Sequence, residues 1–420
     1  MKYLNKKRKK ILFLLVDALG FDFVNDLQMP LLNKLSEESC FYALEPILGY
    51  SDAQRAALFT GCLPATSGYW TDFIREPGKS PLKPFSFFSA FDKLPIDIIK
   101  RSLKFGLAKT IAPIIAKRSE YASLPLYNIP FSVMSDFRPT LKTSMLSPDC
   151  FPKTPSIFTL LDNNNIPFHT IQTDWFGTIN LFKRPSAFNS LLNNSFSTMS
   201  DETEFLYLYL HMLDMLGHRH GIREKTFSEV LIEMDNLIDN IISQIKTILG
   251  DDINIVIVSD HGLNHTEEFI DYTFLLNDPR FGSEFMVALD STMVRIWYFN
   301  DIVKENIRNL IKERSRGKFL TIDEINNFGI NFDHNKYYED IYLLEPGQSI
   351  FPNYHSYLQP YAMHAYDPKG KDQQGIALFY GEIFSQLNVS GNAMNMIDVM
   401  PTLANILELG PLNVDGKSFS

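Results

Sequence analysis

Three apolar runs, Ile11–Val16, Phe205–Leu210 and Ile253–Val258, each six residues long, constrain this chain more than any other feature. They are rich in branched and aromatic side chains and show almost no polar alternation, the pattern of strands buried on both faces. Such strands occur in parallel sheets, and a parallel pair needs a long crossover between its members. Helical sequence supplies one: from Phe227 to Leu249, Val230, Met234, Leu237, Ile241 and Ile245 recur at helical spacing behind a Thr226…Glu229 capping box. Alternating strand and helix predict an α/β sandwich whose functional groups collect at the carboxyl ends of the strands. Asp17, Asp214 and Asp260 all lie just past strand ends.

Two stretches break this alternation. The first, Phe73 to Pro155, is crowded with Pro, Phe and Lys and reads as an insertion. Within it, at residues 92–118, Lys93, Lys100, Arg101, Lys104, Lys109, Lys117 and Arg118 stand against only Asp92 and Asp97, interleaved with Ile, Leu and Phe. That segment is either a surface for an anionic partner or lipid, or a solvated basic face of a cap helix broken by Pro95 and Pro113. Phe85, Phe87, Phe88 and Phe91 nearby would line an apolar or glycolipid substrate, or simply fill the cap's core. The second stretch, His265 to Ser356, carries its own strand-like Thr292–Tyr298 and helical Asp301–Arg314, as a small α+β cap would. The 420 residues, 45% apolar, suffice for one core with such a cap.

Charge and cysteine usage narrow the partners. The net charge of −10 argues against a surface built for nucleic-acid phosphates. Cys40, Cys62 and Cys150 share no C-x-x-C spacing and cannot all pair, which speaks against a disulfide framework or a thiolate zinc site. Lys6 to Lys10 precede Ile11–Val16 as in a secretory leader, but the apolar run is short and meets Asp17 at once. With no stretch of about 20 apolar residues, the expected location is the cytoplasm, with peripheral membrane contact through residues 92–118 as an option.

Six residues of metal-ligand type follow the strands: Asp17, Asp214 and His218 in LDMLGHRHG, Asp260 and His261 in SDHG, and His364 in MHAYD. Carboxylate and imidazole are what zinc takes when cysteine is absent. Singly, Asp17 reads as a turn cap and His364 as a structural histidine; three clusters behind three buried strands point to a bimetallic centre. Gly20, Gly217 and Gly262 beside them are expected to let backbone approach an ion. Ser51, in GYSDAQRAALFTG, precedes a helix-favouring stretch that Gly61 would stop. It is either a plain N-cap or a nucleophile, since the helix's free N–H groups and positive end favour an alkoxide and a phosphoryl oxygen.

In that order, VDALG, MPLLNKL, Ser51 nine residues before Thr60-Gly61, D-x-x-G-H, SDHG and the late His364 resemble the alkaline phosphatase superfamily, in its type I phosphodiesterase/nucleotide pyrophosphatase branch. The C-terminal NMIDVMPTLANILEL followed by DGKSF is similar to that family's closing helix, so the resemblance spans the chain apart from the two insertions. It implies an alkaline-phosphatase-like α/β sandwich with a mostly parallel central sheet flanked by helices. Residues 1–72, 156–264 and 357–420 would form the catalytic core, with 73–155 and 265–356 as inserted caps. It also implies a phosphodiesterase with two zinc ions, or other divalent ions such as Mn2+. Asp17, Ser51, Asp260 and His261 would hold one, Asp214, His218 and His364 the other, and Ser51 would become a phosphoryl-serine.

One position departs from the family. Where the branch has an Asn that donates to a phosphate oxygen, this chain has Asp72, whose ionised form cannot donate. Beside Tyr69 and Trp70 it would suit a cationic group on the substrate, such as an amine or choline. Ser51-Asp52-Ala53-Gln54-Arg55 also has the shape of the sulfatase motif, which keeps sulfate hydrolysis, with Arg55 at the substrate, as a rival. Against it stand Ala18 after Asp17, where sulfatases carry paired aspartates, and the full second ligand set. LYLHMLDMLGHRHG is in addition reminiscent of phosphoethanolamine transferases. A non-catalytic binding module is disfavoured because every matched position keeps a competent side chain.

Overall fold

Ile11–Val16 pairs in parallel with Phe205–Leu210 on one side and with Asn254–Val258 on the other, Leu15 lying opposite both Tyr209 and Val258. This is a computed structural model describing residues 9–94, 97–122, 124, 126, 128–151, 153–172, 192–223, 225–387, 389 and 392–420; Lys6, Lys7, Arg8 and Pro95 lie outside them. Phe168–Gln172 continues the parallel run, while Gly375–Tyr380, Cys40–Glu45 and Ala393–Asn395 complete a seven-stranded sheet. Only Gly375–Tyr380 runs against the rest, so the sheet is mostly parallel, as expected.

Period-two alternation along the central strand divides the interior into two cores. Ile11, Phe13 and Leu15 join Phe59, Phe158 and Met400 on one face, under helices Ser51–Thr60 and Val399–Ile406. Leu12, Leu14 and Val16 join Met234, Ile238 and Ile241 on the other, under helix Lys225–Leu249. Burying each such side chain is worth about 1.5–3 kcal/mol, which is why these strands carry apolar residues on both faces. Thr226, expected as the cap of that last helix, is already inside it.

The two insertions are not separate caps. Phe285–Leu289, Met293–Tyr298, Asp340–Leu344 and Gly317–Phe319 form an antiparallel sheet with helix Ile302–Lys312. Its Phe285, Val287 and Trp297 share one core with Phe85, Leu107, Phe131 and Phe137 of the first insertion. Phe85 is buried there and Phe87 is exposed, so the phenylalanine cluster divides between core and surface. Among the described residues no helix is long and apolar enough to cross a membrane, and all three cysteines are free thiols.

Candidate active site

The register places the first two carboxylates together. With Leu15 opposite Val258, Asp17 and Asp260 each follow two residues later at the same sheet edge. Ala18 turns the chain through a left-handed φ of 63°, and its N–H donates to Asp260 Oδ1 at 3.3 Å. His261 follows with Nδ1 3.0 Å from the Gly262 carbonyl, which leaves Nε2 directed at Asp17 Oδ1 (3.3 Å) and Asp260 Oδ2 (3.7 Å). A ring nitrogen fixed at one end is the usual way a histidine ligand is aimed.

The second cluster rises from helix Met212–His220, which starts directly after Phe205–Leu210. Spacing of i, i+4 puts Asp214 and His218 on one helical face, Nε2 to Oδ1 3.0 Å. His218 Nδ1 lies 2.6 Å from the Ala362 carbonyl. Ala362–Met363 pairs with Asn264–His265, and this short ladder carries the distant His364 into the site. There its ring stacks on His261 at 3.6 Å, with Nε2 3.6 Å from Asp214 Oδ1. Asp17, Asp260 and His261 form one compact ligand group and Asp214, His261 and His364 another, so His261 stands between the two.

Ser51 is the first residue of its helix; Tyr50 holds the N-cap position without a side-chain cap bond. The serine hydroxyl is therefore not the plain cap: its Oγ lies 3.0 Å from His261 Nε2. Gly61, left-handed with φ 65°, ends the helix as expected.

Burial dominates the electrostatics. It pushes Asp17 up to about 7, helped by Asp214, and pushes Asp260 well above the carboxylate range, helped by Asp17. Burial opposes ionisation of Asp214 too, but His218 and His364 hold it below its ordinary value. Burial also works against a charged His218, yet Asp214 raises it to about 9; desolvation takes His261 down to about 4 and His364 well below its ordinary value. Three clustered carboxylates in a dry pocket cannot all be charged without a cation. Asp17 Oδ1, Asp260 Oδ2 and His364 Nδ1 are buried with no hydrogen-bond partner, and in chemistry and placement the donor set fits divalent metal ions.

Other expected residues fare differently. Two of the glycines are tightly packed: a Cβ on Gly217 would sit 2.4 Å from Leu263 Cδ1, and one on Gly262 2.3 Å from the Asp372 carbonyl oxygen. Trp70 is fully buried against Phe332, Tyr337 and Tyr338 and donates its indole N–H to Leu48 O at 2.7 Å, so it offers no face to a ligand. Tyr69 Oη reaches Asp72 Oδ1 at 3.2 Å, and Asp72 lies 3.8 Å from His355 Nδ1. Arg55 pairs with Asp52 and covers the Tyr209 ring at 4.9 Å; its charge also bears on Asp17 and Asp260.

Three contributors escaped the sequence reading. Tyr209, counted there as a core strand residue, donates its hydroxyl to Asp17 Oδ2. Tyr50 packs edge-on to His364, and its hydroxyl accepts from the Thr292 N–H at 2.9 Å. His355 of the second insertion bonds Asp290 Oδ1 at 3.0 Å and stacks on Phe73. A tyrosine one residue from a strand end was the only available signal, and it served Tyr209 alone.

No curated protein sequence matches the chain. Among solved structures, murine ectonucleotide pyrophosphatase/phosphodiesterase 5, seen as an inactive variant in complex with AMP, aligns over 98% of both chains with a TM-score of 0.68 at 14% identity. The human protein of the same name aligns over 97% of both chains, with a TM-score of 0.67 at 16% identity. Identities this low establish the shared fold. A sequence model of type I phosphodiesterase/nucleotide pyrophosphatase matches residues 11–367, a span that holds the six residues of the two clusters together with Ser51. The chain thus belongs to the type I phosphodiesterase/nucleotide pyrophosphatase family, hydrolases of phosphoric ester bonds.

Proposed function

We propose that this chain cleaves a phosphodiester or pyrophosphate by two successive displacements through Ser51, at a centre of two zinc ions. The observation that carries the reading is Ser51 Oγ at a helix start, 3.0 Å from the histidine shared by both ligand groups. Asp17, Ser51, Asp260 and His261 would hold one ion, Asp214, His218 and His364 the other; Mn2+ suits the same donors. Such ions, when bound, offset the carboxylate charge and supply Lewis acidity for oxygens gaining charge.

The chain's own groups do the rest. Ala53 and Gln54 N–H both bond the Tyr50 carbonyl, so the open N–H groups of this helix are those of Ser51 and Asp52. They would donate to an oxyanion developing beside Ser51. Ser51 Oγ bonds to phosphorus, the leaving alcohol or phosphate departs with its electron pair, and the serine proton passes to solvent. Water then displaces Ser51 Oγ, releasing the monoester and restoring the hydroxyl. Tyr209 orients Asp17, and the Ala362 carbonyl orients His218.

The test compares zinc-supplemented hydrolysis of an aryl phosphodiester, the matching monoester and the aryl sulfate. Preference for the diester is expected, with Ser51→Ala lowering kcat on the order of 10^3-fold or more. A preference for sulfate, or full activity in Ser51→Ala, overturns the reading. Bound zinc without turnover would favour a transferase with a selective acceptor.

A further inference from the structure

We propose that the first insertion is a docking surface for an anionic lipid membrane. Two surface properties coincide in this insertion. Of the fourteen large apolar side chains exposed among the described residues, six lie between Phe87 and Ile114, including Phe87 (88% exposed), Phe105 (51%) and Ile114 (55%). Four of the six, Ile99, Phe105, Ile111 and Ile114, fall in residues 92–118, which carry seven Lys or Arg against two Asp in a chain whose net charge is −10.

The helices present these groups outward for a structural reason. Helix Asp97–Thr110 turns Leu107 into the cap core beside partly buried Leu103 and Ala108, which leaves Phe105 and Lys109 on the opposite face. Helix Ala112–Arg118 buries Ala112 and Ala116, leaving Ile114, Lys117 and Arg118 outward. An apolar stripe flanked by cations is what lies flat in a membrane interface, the side chains entering the acyl boundary and the cations meeting lipid phosphates. A solvated basic helix face would not need exposed phenylalanine and isoleucine between its charges.

Beside the stripe is a place for a head group. A cleft of about 330 Å3 between the two insertions is lined by Lys93 and Lys100, by Arg101, which donates to the Tyr357 carbonyl at 2.9 Å, and by buried Lys104, which donates to the Ile129 carbonyl at 2.6 Å. Among the described residues Asp92 is the one acidic side chain on its wall, and its oxygens accept from the N–H groups of Phe131 and Ser132 at 3.0 and 2.8 Å. The surface also runs toward the metal ligands. Phe105 packs on Tyr357, Leu358 next to it is 73% exposed, and Tyr361 donates its N–H to the His218 carbonyl at 2.7 Å. Docking would hold the catalytic mouth at the lipid surface.

The test is cosedimentation of the full chain, in chelator, with phosphatidylcholine vesicles and with phosphatidylcholine vesicles containing phosphatidylserine. Binding to the second set alone, weakened by added salt, is expected, because each cation near an anionic surface adds to the attraction. A Lys109→Glu, Lys117→Glu, Arg118→Glu variant should bind about tenfold more weakly or less, and a Phe87→Ser, Phe105→Ser, Ile114→Ser variant likewise. Both should keep the circular dichroism of the parent and its hydrolysis of a soluble aryl diester, which separates failure of docking from failure of the catalytic reading. No vesicle binding by the parent, equal binding by the variants, or a dimer that buries this face in sedimentation each overturns the proposal.

Discussion

Ser51 and its neighbours show how much chemistry a few side chains carry when local structure aims them. The i, i+4 spacing of Asp214 and His218 predicts their contact from the sequence alone, and they meet at 3.0 Å. The one local sign that Tyr209 serves Asp17 is its place next to a strand end, and it is weak because a tyrosine in a buried strand looks like core. Asp72 is the residue to test. It accepts from Tyr69 and faces His355 where the family pattern has Asn. Asp72→Asn should replace a repelling carboxylate with a donor and shift kcat/KM about tenfold in favour of neutral over cationic leaving groups. An unchanged ratio between a choline-type and a neutral diester removes Asp72 from substrate recognition. Trp70, adjacent in sequence and equally suggestive there, is shut inside the fold, so aromatic residues beside a motif are weak evidence without their burial.

Elements contribute by how closely they approach. The SDHG segment passes so near the backbone at Asp372 that a Cβ at Gly262 would lie 2.3 Å from its carbonyl oxygen. Gly262→Ala should therefore cost about 1–3 kcal/mol in denaturant unfolding and lower kcat/KM by displacing His261; unchanged stability would show that the strap at Asp372 yields freely. The Phe73–Arg75 strand shows a different kind of link. Glu76, just past it, bonds Arg138 Nε at 2.6 Å and Lys79 at 2.9 Å, and Lys336 of the other insertion lies 3.3 Å away. Burial opposes its ionisation, but Lys79 and Arg138 bring it from 4.5 down to about 2. A depressed carboxyl stabilises the fold above its unfolded value and loses that contribution as pH falls through the folded one. The Tm gap between the parent and Glu76→Gln should accordingly be full at neutral pH and shrink from about 4.5 toward 2. A gap independent of pH would mean that packing, not charge, is what Glu76 supplies.

For the whole molecule, the proposed ligands come from five separate parts of the chain and meet only in the folded state, so metal binding would be linked to stability. Dialysis against a strong chelator should abolish hydrolysis and lower Tm, with both restored by zinc; a Tm indifferent to chelation would mean that the carboxylates are accommodated without a cation. The α/β class, the parallel strands and the two ligand clusters were determined by the sequence, because they rest on local periodicity and on short spacings that survive without tertiary context. Three things only the tertiary structure decided. His364 reaches the site through a two-residue ladder with Asn264–His265, a pairing no pattern announces. His261 lies between the two ligand groups because strand register sets Asp17 beside Asp260. The two insertions, far apart in sequence and read as two inserted caps, close over a single core, because Phe285, Val287 and Trp297 of one pack with Phe85, Leu107 and Phe131 of the other, contacts that no local pattern carries.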